Sequence, residues 1–244
     1  MVGNSTPVFF VRRRTGLCLG LAVLASVAVA RSEITVFFKE AFYQGNVQLN
    51  WQSFPGFSPT RVTAIASKQA PDGDGWVGRI SNGTFGGFAA LSYAGRPDLS
   101  DYSVEAWIFT TVTSDEKGPL NGIAIRVDPV EERFYRLASH FTAEARLTLA
   151  YVGRDTNNFP VYLKSWPASS LPGGGPRQSS WNKMKLTASG DSIRAYWNGQ
   201  ELPGSPIRDN RIARGYFGVY ANFVGGRQIA ETLVDALRVE EEVK

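Results

Sequence analysis

The chain has 244 residues, 43% of them hydrophobic and 20% charged, with 26 Lys+Arg against 22 Asp+Glu and a single His. That length supports one domain with a sizeable core, and the near-even charge with no basic stripe argues against nucleic acid as the main partner. Cys18 is the only cysteine, which excludes a disulfide framework, CxxC redox pairs and cysteine-based zinc sites.

At the amino terminus, Arg12, Arg13 and Arg14 precede an uncharged apolar run from Leu17 to Ala30 that ends in Ala28-Val29-Ala30. Charged region, apolar region and small-residue site in that order predict a secretory signal over residues 1–30, cleaved at Ala30–Arg31. The run of 14 residues is shorter than the ~20 that cross a bilayer as a helix, so no stable membrane insertion is expected after cleavage. The expected location is secreted or periplasmic. Removing the signal takes away Cys18 and three Arg, leaving 23 basic against 22 acidic residues. Residues 31–244 are expected to form one domain.

Beyond the signal, short stretches alternate with a period of two, the signature of half-buried strands. Asp72-Gly73-Asp74-Gly75 and Asn82-Gly83 read as turns, and Asn82-Gly83-Thr84 is a glycosylation sequon. Tyr102, Val104, Ala106 and Ile108 share one face; Glu105, Trp107 and Phe109 share the other. Ile123, Ile125 and Val127 alternate with Ala124, Arg126 and Asp128. Tyr135, Leu137 and Ser139 alternate with Phe134, Arg136, Ala138 and His140, and Leu147, Leu149 and Tyr151 follow the same rule. Ser165 to Pro176 reads as a surface loop. Met184-Leu186 and Ile193-Ala195-Trp197 are strand patterns divided by Ser189-Gly190-Asp191 and closed by Asn198-Gly199, and Phe217-Val219-Ala221 is another. Residues 229–242 fit a helix and a strand equally on local grounds. Trp51, Trp181 and Trp197 are expected in the core.

Trp181-Asn182-Lys183-Met184-Lys185-Leu186, Gly190-Asp191-Ser192-Ile193 and Tyr196-Trp197-Asn198-Gly199 together resemble a hairpin of concanavalin A-like lectin/glucanase domains. Gly215 to Ala221 is similar to their "G-x-x-G-L-Y" strand, and Thr232 to Val239 to their closing "F-D-x-V-x-V" strand. Asp101 to Glu105, Gly122 to Arg126 and Phe134 to Leu137 match strands upstream. The resemblance spans roughly residues 36 to 240 and includes laminin G-like modules and 3-keto-disaccharide hydrolases. It implies an all-β jelly-roll sandwich of two antiparallel sheets with a concave face, and it makes the last segment a strand. Many members bind glycans on that face.

Residues opposite the inferred core supply a candidate site: Glu105, Trp107, Arg126, Arg136, His140, Tyr220 and Asn222. Rings that stack on sugar C–H faces, beside groups that hydrogen-bond hydroxyls, suit an oligo- or polysaccharide. If their strands are neighbours, the seven converge. The Glu-x-Asp-x-x-Glu run of laminarinase-type members is missing, and with it the pair of carboxylates that glycoside hydrolysis uses. A non-catalytic lectin-like domain is therefore expected. A glycosidase or 3-keto-disaccharide hydrolase, whose family keeps an Arg at the place of Arg126, is one alternative, and a protein-binding adhesion module is another. No cofactor is required. Asp235 is expected to share a face with Leu233 and Leu237, toward the core. The resemblance implies that it binds a structural calcium; hydrogen bonds to backbone amides would satisfy it equally well.

Overall fold

The computed structural model describes residues 34–81, 89–110, 119–140, 145–176, 179–223 and 231–242. The signal, Cys18 and the Asn82 sequon lie outside them. In chain order the strands are β1 (Ile34–Glu40), β2 (Gln52–Ser53), β3 (Thr63–Ala66), β4 (Trp76–Ser81), β5 (Ala90–Ala94), β6 (Tyr102–Thr110), β7 (Pro119–Asp128) and β8 (Arg133–His140). They continue with β9 (Arg146–Gly153), β10 (Val161–Pro167), β11 (Trp181–Ser189), β12 (Ser192–Trp197), β13 (Gln200–Glu201), β14 (Ile207–Arg208), β15 (Tyr216–Phe223) and β16 (Glu231–Glu242).

Two antiparallel sheets result. One has nine strands, in the order β13-β12-β11-β6-β16-β4-β3, with β1 added to β16 and β14 to β12. The other has seven, β10-β9-β8-β7-β15-β5-β2. The main core holds Tyr102, Val104, Ala106 and Ile108 from one sheet against Ile123, Ile125, Tyr135, Leu137, Leu149 and Phe217 from the other. Burying each large apolar side chain contributes about 1.5–3 kcal/mol. This is the all-β two-sheet sandwich that the pattern predicts, and the final segment is a strand, β16.

Local chemistry explains the hairpins. Asn198 and Gly199 have φ of 48° and 84°, the left-handed pair that a two-residue hairpin loop requires, and they set Trp197 opposite Gln200. Trp197 and Trp51 are core residues, as expected. Trp181 is not: it lies half-buried on the outer face of β11, with its ring 5.2 Å from that of Phe109. The expected loop from Ser165 also starts later. β10 runs to Pro167, and Trp166 is in the core.

Two bulges reverse the alternation where the sequence gives no sign of it. Between Ile125 and Asp128, Arg126 takes φ 50°, and Val127 turns to the outer face of the seven-stranded sheet. Between Asp235 and Arg238, Ala236 takes φ 46°. Leu237 therefore enters the core, whereas Asp235 pairs with Trp107 on the outer face of the nine-stranded sheet, opposite to its expected direction.

Candidate functional site

The seven expected site residues do not converge. Glu105 and Trp107 stand on β6, on the outer face of the nine-stranded sheet. Arg136, His140, Tyr220 and Asn222 stand on β8 and β15 of the seven-stranded sheet. Period-two alternation shows which residues share a face of one strand; it does not show which sheet the strand joins. Glu105 is held by Lys183, with Nζ 2.6 Å from Oε1.

Arg126 leaves the set for a second reason. Its bulge turns the side chain toward one end of the sandwich, where Nη1 donates to the Ile212 carbonyl (2.9 Å) and Nη2 to the carbonyls of Ser100 (3.0 Å) and Gly190 (2.6 Å). Its own amide donates to the Tyr102 hydroxyl at 2.6 Å. That hydroxyl in turn donates to the carbonyls of Gly215 and Tyr216. Burial pushes the Tyr102 hydroxyl well above the usual tyrosine range. Arg126 is a structural brace between loops.

Arg136, His140, Tyr220 and Asn222 do come together. The register places Asn222, Leu120, His140 and Arg146 in one row across four strands, and Tyr220, Gly122, Ala138 and Thr148 in the next. Arg136 starts one row further on and leans back, with Cζ 4.8 Å from the centroid of the Tyr220 ring. Small side chains make the floor. A Cβ on Gly122 would lie 1.9 Å from the Leu137 carbonyl oxygen, so the close approach of β7 to β8 there requires glycine. Behind Arg136 stands an aromatic wall of Phe134, Phe54, Phe57 and Tyr220, with centroids 5.1–6.0 Å apart. At the other end Asn222 and Arg146 are half-exposed.

The polar groups of this row are left short of partners. Arg136 is 1% exposed, and its Nε and Nη1 have no hydrogen-bond acceptor. His140 is 4% exposed. Arg146 Nε donates to its Nδ1 at 3.2 Å, so the proton of the neutral ring sits on Nε2, which also has no partner. Burial, then Arg146 and Arg136, lower the His140 pKa to about 4, so the ring is neutral at pH 7. Asn222 Nδ2 donates to the Tyr220 hydroxyl at 3.1 Å. Among the described residues, neither Arg136 nor Arg146 has a carboxylate partner. Arg146 was not singled out in the sequence, although alternation with Leu147 and Leu149 puts it on this face.

The outer face of the nine-stranded sheet is of another kind. A groove of about 390 Å³ runs over Ser103, Lys185, Thr187, Arg194, Tyr196 and Glu240. Its charged groups pair: Arg194 with Glu201 at 2.7 Å, and Lys185 over the Tyr196 ring at 5.8 Å. Beside Trp107, Asp235 is fully buried. The Ala236 amide donates to its Oδ1 (2.7 Å) and the Asp72 amide to its Oδ2 (3.4 Å). Burial, with Asp72 and Asp74 nearby, raises its pKa to about 7. Its oxygens are thus taken by amides, and among the described residues no three His, Cys, Asp or Glu side chains converge to hold a metal ion.

No family model matches the chain, and no curated protein matches it. Solved structures do. The carbohydrate-binding module CBM66 from Bacillus subtilis shares 13% identity over 79% of this chain and 96% of its own, with a TM-score of 0.56. The cellulose-induced protein Cip1 shares 13% over 83% and 96%, with a TM-score of 0.54. A galectin-like-fold protein of unknown function from Bacillus subtilis shares 10% over 86% and 97%, with a TM-score of 0.55. At such identities the likeness is one of fold, and the fold is the jelly-roll sandwich of the concanavalin A-like type.

Proposed function

We propose that this chain is an exported, non-catalytic saccharide-binding protein whose ligand lies on the outer face of the seven-stranded sheet. Arg136, His140, Tyr220, Asn222 and Arg146 would make the contacts. One observation carries the reading. Arg136 and His140, both buried, present N–H groups with no acceptor over a floor of glycine and alanine, beside an aromatic wall. Buried polar groups are ordinarily hydrogen-bonded, so a set left open in one place marks where a ligand supplies the acceptors. Three of the similar structures bear names tied to carbohydrate: the module CBM66, a carbohydrate esterase from bacteriophage phi24B and an endo-β-galactosidase from Clostridium perfringens. Glycosidase chemistry gains no support on this face, since it uses a pair of positioned carboxylates and, among the described residues, the cations here have none beside them.

The groove on the nine-stranded sheet favours a second reading, in which the saccharide lies over Tyr196 and extends along the same outer face toward Trp107. A glycan array probed with residues 31–244 separates the two. The expected result is binding that Asn222→Ala loses and Trp107→Ala keeps. The reverse pattern moves the site to the other sheet. A folded protein that binds no glycan refutes the lectin reading, and release of sugar from a bound glycan refutes the non-catalytic one.

A further inference from the structure

Resting on that reading, we infer that the saccharide is acidic, and that Arg136 and His140 receive its carboxylate or sulfate group. The donor set decides the sign of the ligand. At the centre of the row stand a guanidinium with open Nε and Nη1 and an imidazole with open Nε2. All three nitrogens donate. A neutral sugar hydroxyl would satisfy one donor each and leave the charge of Arg136 uncompensated.

That charge is the second argument. Arg136 and Arg146 flank His140, both act on its ring electrostatically, and neither is paired with a carboxylate among the described residues. Taking an unpaired cation out of water costs several kcal/mol, and fully buried cations are normally paired. The half-buried arginines outside this row show the normal pattern, Arg211 pairing with Asp209 and Arg133 with Asp128. Buried Arg126 has no carboxylate among the described residues but places Nη1 and Nη2 on three carbonyls, with only Nε open. Arg136 has the ring of Tyr220 and, among the described residues, no carboxylate. The His140 tautomer completes the case: Arg146 fixes the acceptor nitrogen, so the nitrogen left open donates. An anionic oxygen cluster entering past half-exposed Asn222 and Arg146 meets three open nitrogens, Nε and Nη1 of Arg136 and Nε2 of His140, all of them donors. Hydrogen bonds to charged groups are also about twice as strong as neutral ones.

The test is titration calorimetry of residues 31–244 with four probes: an oligogalacturonate, its carboxyl-reduced neutral counterpart, a sulfated oligogalactan and its desulfated counterpart. One acidic member is expected to bind at least tenfold more tightly than its neutral partner, and which one does so separates carboxylate from sulfate. Arg136→Gln should bring the two members within about threefold, with thermal unfolding used to confirm that the variant is folded. If it is not, His140→Phe keeps the ring volume, removes the Nε2 donor and should narrow the gap at least threefold. Equal binding of acidic and neutral partners, unmoved by either variant, overturns the acidic assignment and leaves the saccharide reading standing. Binding of neither, by a folded protein that also fails on the glycan array, overturns both.

Discussion

The outer faces of the two sheets look alike in sequence and differ in structure. On β11 of the nine-stranded sheet, residues alternate between buried and half-buried over Trp181 to Ala188, so one side is dry and the other wet. On β8 and β9 of the seven-stranded sheet, seven of the eight residues in each strand are buried. Phe54 and Phe57 close one end of that outer face and, with Leu91, Tyr93, Phe134, Val152 and Tyr220, build a second apolar cluster. A polar residue at an outward position is therefore partly solvated along β11 and desolvated along β8 and β9, where Arg136 and His140 keep donors without an acceptor.

The largest effect that would break this contrast is on stability. Phe134→Ala is expected to lower the unfolding free energy by about 3–5 kcal/mol, because the buried ring packs on Phe54, Phe57 and Tyr220 and its loss leaves a cavity. Denaturant unfolding would read it. A loss under about 1 kcal/mol would mean that the cluster is not a second core.

The two faces should also respond to pH in opposite senses. Asp235 has its folded pKa raised to about 7, so its contribution is complete below the unfolded value of 3.8 and fades as pH rises through 7. Asp235→Asn should then stabilise the protein by about 2–4 kcal/mol at pH 8 and leave it unchanged near pH 4. If millimolar calcium instead stabilises the wild type at pH 8 and the variant loses that response, Asp235 shares a cation with Asp72 and Asp74. His140 has its folded pKa lowered to about 4, so its contribution is complete above 6.5 and fades as pH falls toward 4, by about 2–3 kcal/mol. His140→Gln should flatten that acid limb. Thermal unfolding between pH 4 and pH 8 checks both signs.

The smallest effect sharpens the comparison from the wet side. Glu105→Gln removes an ion pair that is a quarter to a third exposed and should cost less than about 1 kcal/mol, with little change in glycan binding. A loss of binding there would bring the nine-stranded face back as the site.

Much of the fold was legible because its core strands alternate cleanly. Tyr102 to Ile108 and Met184 to Trp197 have the expected faces. Asn198-Gly199 and Gly190 form hairpin turns with positive φ, as their chemistry requires. The errors share two physical causes. Bulges at Arg126 and Ala236 each insert one residue and invert the faces beyond it, yet neither residue is the glycine that usually announces a positive φ. Sheet membership is the other cause. It depends on long-range pairing, so Glu105 and Trp107 were grouped with Arg136 and His140 on parity alone. Trp181 shows a milder form of the problem, since hydrophobicity places a ring out of water but here on Phe109 at an outer face. Four of the seven expected site residues nevertheless fall in neighbouring rows of one face, because they lie on β8 and β15, which both border β7.

Arg126 and the Tyr102 hydroxyl tie the loops at Ser100, Gly190, Ile212 and Gly215 to the end of β7 where it turns toward β8. His140, Leu120 and Asn222 lie at the opposite end of the same strands. The domain thus keeps its keystone and its proposed binding site at different poles, and substitutions at the distal pole need not loosen the bracing among the loops.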